Sequence, residues 1–213
     1  MQGHKYVQYG CGPFSAPGGW LNFDASPTLK LQLIPVLGRL LAPRMHVSFA
    51  PGIRYGDILE GLPVTPGSCK GVYCSHVLEH LSYEDCRAAL VNTYRLLEDG
   101  GRFRCVLPDL ECAARRYLQG LDGGDTEANT LFLEETMLGK RVRVRGIKNL
   151  VQTAFGNRDH QYMWDHPSLA ALLKEVGFRS VRHCVFNDSG DAMFEKVEEE
   201  VRFQNAVALE AIR

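Results

Sequence analysis

The sequence lacks several features that would each define a class of protein. No apolar run approaches the roughly eighteen residues of a membrane-spanning helix, so no membrane span is expected. The formal net charge is only -1, which argues against a globally basic surface for nucleic acid. The first residues, Met-Gln-Gly-His-Lys, carry no apolar signal core, and we therefore predict a cytoplasmic protein.

Cysteine is present without the spacing of a disulfide or metal framework. The 7 cysteines form no Cys-x-x-Cys pair, and their odd number favours reduced thiols in a cytosol. Internal repeats and low-complexity linkers are also missing. With 213 residues, we predict a single domain over 1–213.

The most informative stretch runs from residue 71 to residue 108. A short apolar run ends in Ser75-His76, an amphipathic segment follows to Gly100-Gly101, and a second β-rich run ends at Pro108. Strand, helix and strand in this order predict a parallel βαβ unit. Ligands of such folds bind outside the carboxyl ends of strands, so these strand ends mark a candidate ligand edge.

Three shorter runs upstream end in glycine or aspartate. The first runs from Tyr6 into Gly10-Cys11-Gly12, the second ends at Asp24, and the third ends near Asp57. Glycine lacks Cβ, so a Gly-x-Gly turn tolerates positive φ and lets a ligand approach the backbone closely. A tight loop without a ligand is the alternative interpretation of the two glycines.

The second half of the chain is predicted to form a helical insertion, followed by further strands of the sheet. Residues 110–165 interrupt the alternation of strand and helix after the fifth strand, with helices predicted over 109–119 and 126–138. A helix begins at Asp165 and is stopped by Gly177. Strands are predicted over 178–186 and 206–212, with a helix near 192–199.

Taken in order, these motifs resemble a small bacterial branch of the class I S-adenosylmethionine-dependent methyltransferases, over nearly the whole chain. The motifs that carry the resemblance are Gly10-Cys11-Gly12, Pro17-Gly18 with Trp20, Asp24, Ser75-His-Val-Leu-Glu-His80 and Arg95-Leu-Leu-Glu-Asp-Gly-Gly101. The resemblance implies an α/β, Rossmann-like, doubly wound sheet that is mainly parallel. Its last strand, 206–212, would run antiparallel beside 178–186.

The resemblance also implies a cofactor, S-adenosyl-L-methionine, and a set of residues that hold it. Asp24 would accept hydrogen bonds from the ribose, Asp57 would bind the adenine amino group, and Ser75 with His76 would border the methionine end. The full set is Gly10, Cys11, Gly12, Asp24, Asp57, Ile58, Ser75 and His76. Each has a structural alternative: Asp24 can cap the helix after Ser26, and Asp57 can be a turn residue.

The chain departs from the common class I pattern between the glycine turn and Asp24. Residues 13–19 are too short, and too rich in proline and glycine, for the usual helix. A helix N-terminus is therefore missing from the predicted cofactor site, which leaves the hold on the methionine carboxylate open.

The acceptor side is predicted from the insertion. His160 and His76 are candidate general bases, and Trp164 and Arg145 are candidate substrate contacts. The insertion can fold over the cofactor as a lid, and its basic residues would favour an anionic acceptor. A solvated charged face is the alternative for this basic run.

The predicted function is methyl transfer to oxygen or nitrogen of a small-molecule acceptor, with a saccharide or cell-envelope precursor as a first suggestion. A catalytically silent cofactor-binding module of the same fold is the main alternative.

A zinc hydrolase using His76, Glu79 and His80 is a remote alternative, because His-x-x-Glu-His also occurs in zinc proteases. A nicotinamide enzyme is disfavoured, since Ser15 replaces the third glycine of its fingerprint. The oligomeric state is left open.

Overall fold

The computed structural model of the protein describes residues 6–13, 18–35, 47–139 and 159–213. Seven strands in these segments form one sheet: β1 (Tyr6–Tyr9), β2 (Trp20–Asp24), β3 (Arg54–Tyr55), β4 (Cys69–Ser75), β5 (Leu97–Pro108), β6 (Ser180–His183) and β7 (Ala206–Ile212). The helices described are α1 (Pro27–Gln32), α2 (Tyr83–Leu96), α3 (Leu110–Asp122), α4 (Ala128–Glu135) and α5 (His166–Val176).

The strand order is β3-β2-β1-β4-β5-β7-β6. Strands β3, β2, β1, β4 and β5 pair in parallel, whereas β7 runs antiparallel to both β5 and β6 between them. The predicted doubly wound, mainly parallel sheet with an antiparallel last strand is confirmed. The strand order reverses between β1 and β4, where folds of this kind form their ligand crevice.

Both faces of the sheet are covered, as the alternation of side chains along β4 shows. Val72 and Cys74 point into the larger apolar cluster, which also contains buried residues of α2 and α5. Tyr73 points into a second cluster with Trp20 and Phe194 on the other face. The strands are therefore packed on both faces of the sheet.

Two helices begin as their sequence signals predict. The Ser82 side chain caps α2 by accepting a hydrogen bond from the Asp85 N–H. Asp165 and Ser168 form a capping box at the start of α5, and Gly177 ends that helix with φ +121°. Short polar side chains and one glycine therefore set these boundaries.

The prediction that Gly100-Gly101 ends α2 is wrong. The helix ends at Leu96, and β5 begins at Leu97 and continues through both glycines. A Cβ on Gly101 would lie 2.9 Å from the carbonyl oxygen of Cys69, so the glycine permits close strand contact rather than a helix cap.

Other boundaries differ modestly from the prediction. The insertion helices cover 110–122 and 128–135, and the strand predicted over 178–186 is limited to 180–183. The helix predicted near 192–199 is wrong, because only short 3₁₀ turns, Phe194–Lys196 and Glu200–Phe203, form there. Phe194 is fully buried against Trp20 and Tyr6, and this anchoring favours a compact turn.

Among the helices of the described segments, none is both long and apolar enough to cross a membrane.

Candidate functional site

The turn after β1 needs glycine at both of its predicted positions. Gly10 and Gly12 have φ of +63° and +66°, values that side chains with a Cβ rarely adopt. A Cβ on Gly10 would lie 2.3 Å from Cγ2 of Val77, whereas one on Gly12 would meet no described atom within 4 Å. Gly10 therefore packs against the segment after β4, and Gly12 faces open space.

Asp24 connects this turn to the start of α1. Its Oδ2 accepts a 2.9 Å hydrogen bond from the Gly12 N–H, and its Oδ1 accepts one of 2.8 Å from the Ser26 N–H. Asp24 is 9% exposed, so the two backbone donors offset much of the cost of burying its charge. A carboxylate offers about four acceptor sites, so these two bonds leave capacity on both oxygens.

Cys11 lies between the two glycines, and its backbone N–H donates to the Phe23 carbonyl over 3.2 Å. Burial and the neighbouring charge of Asp24 raise the pKa of the Cys11 thiol to about 12. The thiol is therefore protonated at neutral pH, and it contributes packing and shape rather than a nucleophile.

The segment after β3 is fixed from two sides. Oδ1 of Asp57 accepts a 2.9 Å hydrogen bond from the Leu59 N–H, which forms an Asx turn. The Asn92 side chain donates to the carbonyl oxygens of Ile58 and Leu59 over 2.8 and 3.1 Å. Ile58 is 5% exposed and belongs to the core, so the structure presents Asp57 at the strand end and turns the Ile58 side chain inward.

Ser75 and His76 lie where β4 ends. The Ser75 hydroxyl is buried and makes no hydrogen bond of ordinary geometry with a described residue. His76 has φ +54°, and its imidazole is engaged through both nitrogens: Nε2 lies 3.1 Å from the Arg202 carbonyl oxygen, and Nδ1 lies 3.3 Å from Oε1 of Glu79. This arrangement ties His76 to its neighbours and does not favour the base role expected from the sequence.

His160 lies next to residues that are distant in sequence. Its ring centroid is 5.1 Å from that of His80, and one of its ring nitrogens lies within 4.8 Å of a ring nitrogen of His80 and a carboxylate oxygen of Glu79. Burial lowers the pKa of His160 below 6.5, and this effect outweighs the opposing charge of Glu79. The imidazole is therefore mainly neutral at physiological pH.

Glu79 is buried more deeply than its sequence pattern predicts. It is 0% exposed, whereas the sequence suggests a role for it only in a rival zinc-protease motif. That motif requires an α-helix with both histidines on one face, whereas here only Leu78–His80 forms a 3₁₀ turn. The zinc-protease geometry is not formed, but the motif places the carboxylate of Glu79 close to the imidazole of His160.

Of the two predicted substrate contacts, the structure describes only Trp164. Trp164 is 1% exposed and packs against Tyr83 and Tyr162, with ring centroids 5.6 and 4.7 Å away, so its indole belongs to the core. Arg145, like the neighbouring basic residues and Pro17, lies outside the described residues.

The predicted cofactor residues converge on one edge of the sheet. Each of them lies at the carboxyl end of a parallel strand or in the loop that follows it. They are the Gly10–Gly12 turn, Asp24, Asp57 and Ser75-His76. The fold is that of a doubly wound α/β protein, a class that binds ligands at the carboxyl ends of its strands.

The family follows from a sequence comparison. A family model described as a methyltransferase domain matches residues 39–183, which is more than half of the chain. The chain therefore belongs to this methyltransferase family. The matched range contains β3 to β6, and it begins after the glycine turn and Asp24.

Solved structures with a similar fold include a SAM-dependent methyltransferase from Archaeoglobus fulgidus, at 14% identity and a TM-score of 0.49, covering 98% of this chain and 85% of that one. Another is magnesium protoporphyrin IX methyltransferase from Synechocystis with bound SAH, at 16% identity and a TM-score of 0.49, covering 99% and 74%. No curated protein matches the chain.

Proposed function

We propose that the protein is a methyltransferase that transfers the methyl group of S-adenosyl-L-methionine to oxygen or nitrogen of a small-molecule acceptor. The observation that carries the proposal is the corner formed by Gly12 and Asp24. It combines a positive-φ glycine facing open space with a carboxylate 2.9 Å from its N–H, in a chain of a methyltransferase family.

The corner suits the sugar of the cofactor. The two adjacent ribose hydroxyls are donors, and both oxygens of Asp24 keep acceptor capacity after binding Gly12 and Ser26. A charged acceptor makes hydrogen bonds roughly twice as strong as a neutral one. Gly12 lets the ligand approach the backbone, because no side chain of the described residues lies within 4 Å of the position its Cβ would take.

The remaining cofactor contacts follow from the neighbouring strand ends. Asp57 is presented after β3, where its carboxylate would bind the adenine amino group. Ser75, with a buried hydroxyl that makes no ordinary hydrogen bond, and the backbone of His76 would border the methionine end. Ile58 would contribute apolar packing beneath the adenine rather than a polar contact, since its side chain faces the core.

The acceptor would enter from the side of the insertion. The sulfonium supplies an activated methyl group, so positioning can account for much of the rate. A lone pair on the acceptor forms the new bond to carbon as the carbon–sulfur bond breaks and its electron pair stays on sulfur. The proton of the acceptor's hydroxyl or amine is released to solvent. His160 marks this side of the edge, and the basic residues around Arg145 would favour an anionic acceptor such as a cell-envelope saccharide precursor.

Cofactor binding is tested most sharply by a pair of glycine variants. Gly12→Ala and Gly67→Ala introduce the same strain, because φ is +66° and +68° and neither new Cβ meets a described atom within 4 Å. Gly67 precedes β4 and therefore lies at the opposite edge of the sheet. Gly12→Ala should weaken binding of S-adenosylhomocysteine at least tenfold, and Gly67→Ala should leave it unchanged.

The unmodified protein sets the reference. S-adenosylhomocysteine at one hundred times its dissociation constant should stabilise the fold by about 2.7 kcal/mol, and NAD should have no effect. No thermal shift at millimolar cofactor, or equal effects of the two glycine variants, would contradict the proposal. Binding without turnover on any acceptor would instead support the silent module of the same fold.

A further inference from the structure

A cluster of two histidines and a glutamate, of which Glu79 and His160 are buried and His80 is half-buried, lies beside the segment just beyond the end of β4. The candidate ligand atoms of Glu79, His80 and His160 all lie within 4.8 Å of one another. Nε2 of His80 is 4.0 Å from Oε1 of Glu79, and the rings of His80 and His160 meet edge to face. The cluster is compact enough for one ion to contact all three side chains.

The carboxylate of Glu79 lacks the donors that a buried charge needs. Both of its oxygens are buried and accept no hydrogen bond from a described residue, and its side chain is only 1% exposed. Burying a carboxylate without donors or a counter-charge is strongly unfavourable. The imidazole of His76, 3.3 Å from Oε1, contributes a counter-charge only when it is protonated. A cation between Glu79 and the other histidines would satisfy the carboxylate.

His80 is oriented as metal ligands usually are. Its Nδ1 lies 3.2 Å from the Asp159 carbonyl oxygen. A carbonyl oxygen only accepts, so this contact places the N–H of His80 on Nδ1. Nδ1 of His160 is buried and has no hydrogen-bond partner in the described part of the chain. Metal-binding histidines commonly donate their second nitrogen to a carbonyl in this way.

The backbone brings the cluster together without help from the three side chains. The N–H groups of Gln161 and Tyr162 both donate to the Glu79 carbonyl, over 2.7 and 3.3 Å. The Gln161 side chain donates to the His80 carbonyl over 2.8 Å. His160 is therefore held beside Glu79 and His80 by a preformed frame, as a binding site requires.

We propose that Glu79, His80 and His160 bind a divalent transition-metal ion, with Zn²⁺ the best match. Two imidazoles and one carboxylate are a known zinc ligand set, and the fourth position is left for water or substrate. Ligands at 2.0–2.2 Å from a tetrahedral ion lie about 3.4 Å apart, so the side chains would close by roughly 1 Å on binding.

The binding site itself does not depend on the proposed function, but its role does. The cluster follows β4 directly, and Val77 in the same segment packs against Gly10 of the cofactor turn. An ion there would place positive charge at the acceptor side of the edge, where it can bind and polarise an acceptor oxygen. In that case His160 acts as a ligand, which replaces the general-base role expected from the sequence.

The test uses the full chain, stripped with a chelator and titrated with Zn²⁺ by calorimetry, with the metal content measured after dialysis. We expect one ion per chain. His160→Ala and the isosteric Glu79→Gln should each weaken binding by roughly a hundredfold or more, beyond the 10–100-fold typical of supporting residues. His183→Ala, which changes an exposed histidine on β6, should bind Zn²⁺ like the unmodified protein. Circular dichroism checks that each variant is folded.

Cobalt adds a readout that a merely structural role would not produce. Co²⁺ in a site of this kind should give the visible absorption of a four-coordinate ion, and the bands should be lost in His160→Ala. Absence of a stoichiometric site, or full Zn²⁺ affinity in folded His160→Ala, overturns the proposal. Binding that depends on His76 and not on His160 overturns this ligand set. S-adenosylhomocysteine binding, measured on the same metal-free protein, separates a failure here from a failure of the proposed function.

Discussion

The backbone N–H of Gly12 donates a 2.9 Å hydrogen bond to Oδ2 of Asp24, which joins the turn after β1 to the end of β2. Through its other oxygen, Asp24 also holds the Ser26 N–H at the start of α1. One buried carboxylate therefore shapes the predicted cofactor corner and supports the fold around it. Substitutions at Asp24 should consequently affect both stability and binding.

We predict that Asp24→Ala lowers the free energy of unfolding by about 1.5–3 kcal/mol or more, because two hydrogen bonds to a charged group are lost. Affinity for S-adenosylhomocysteine should fall by a similar free energy in the protein that remains folded. Denaturant unfolding without cofactor measures the first effect, and calorimetric titration measures the second.

Ser26→Ala is the matched control for this experiment. The Ser26 hydroxyl caps α1 by accepting from the Thr28 N–H, so its loss should cost about 1 kcal/mol of stability. The backbone bond from Ser26 to Asp24 is kept, and cofactor affinity should not change. Equal affinity in folded Asp24→Ala would show that the ribose is held elsewhere.

Gly10 provides a second prediction, because its neighbour is specific. Gly10→Ala should destabilise the protein by about 1–2 kcal/mol through backbone strain and by about 1–3 kcal/mol more through the collision with Val77. In the double variant with Val77→Ala, the collision should disappear while the strain remains. A double-mutant cycle by chemical denaturation should therefore give a favourable coupling energy, and strict additivity would contradict the predicted contact.

A buried ionic network holds β5 to β7. Nε of Arg104 lies 2.6 Å from Oε1 of Glu198, and its Nη1 lies 3.1 Å from Oε2 of Glu210. Arg104→Met should lower the free energy of unfolding by about 3–5 kcal/mol, because it leaves the buried carboxylate of Glu198 without its cation. Arg102→Met is the control: Arg102 also pairs with Glu210, but its side chain is 36% exposed and Arg104's is 1%, so the loss should be below about 1 kcal/mol. If urea unfolding gave similar losses of stability for Arg104→Met and Arg102→Met, the predicted difference between the buried and the exposed arginine would be wrong.

The same network predicts the acid sensitivity of the fold. Burial raises the pKa of Glu210, but the hydrogen bond from Ser189 and the charges of Arg104 and Arg182 outweigh it and hold the pKa below 4.5. A carboxyl with a lowered pKa stabilises the fold above its unfolded value, and the contribution is lost as pH falls through the folded value. The free energy of unfolding should therefore decline below about pH 4.5.

Two variants test that assignment in urea titrations over the acid range. Glu210→Gln should be less stable at neutral pH and should show a weaker decline in acid, because the titrating group is gone. Ser189→Ala removes a 2.9 Å hydrogen bond to Oε2 of Glu210, so it should reduce the acid-dependent part of the stability. An unchanged acid slope in Glu210→Gln would assign the effect to other carboxyls.

Much of the fold can be predicted from local sequence signals. The strand ends at Gly10, Asp24 and Ser75 are visible because an apolar run stops at a glycine or a short polar residue. The capping residues Ser82, Asp165 and Gly177 set helix boundaries through their own side chains or φ. Parallel strand ends meet at one edge, so the order of these motifs already implied a common site.

Other features depend on contacts between residues that are distant in the chain. The sequence shows two glycines at 100 and 101, but only the neighbouring Cys69 backbone shows that Gly101 allows close contact between strands. Trp164 resembles a binding residue until its burial against Tyr83 and Tyr162 is seen. In both cases the role of the residue depends on tertiary packing, which local sequence propensity does not predict.

The Glu79–His80–His160 cluster likewise depends in part on the sequence and in part on the tertiary structure. The sequence determined that a glutamate and a histidine follow β4 directly, because their neighbours are fixed by the chain. Only the tertiary structure brought His160 to them, through hydrogen bonds from Gln161 and Tyr162 to the Glu79 carbonyl. The physical reason is that a backbone carbonyl accepts from any N–H, so no residue type in the sequence records this pairing.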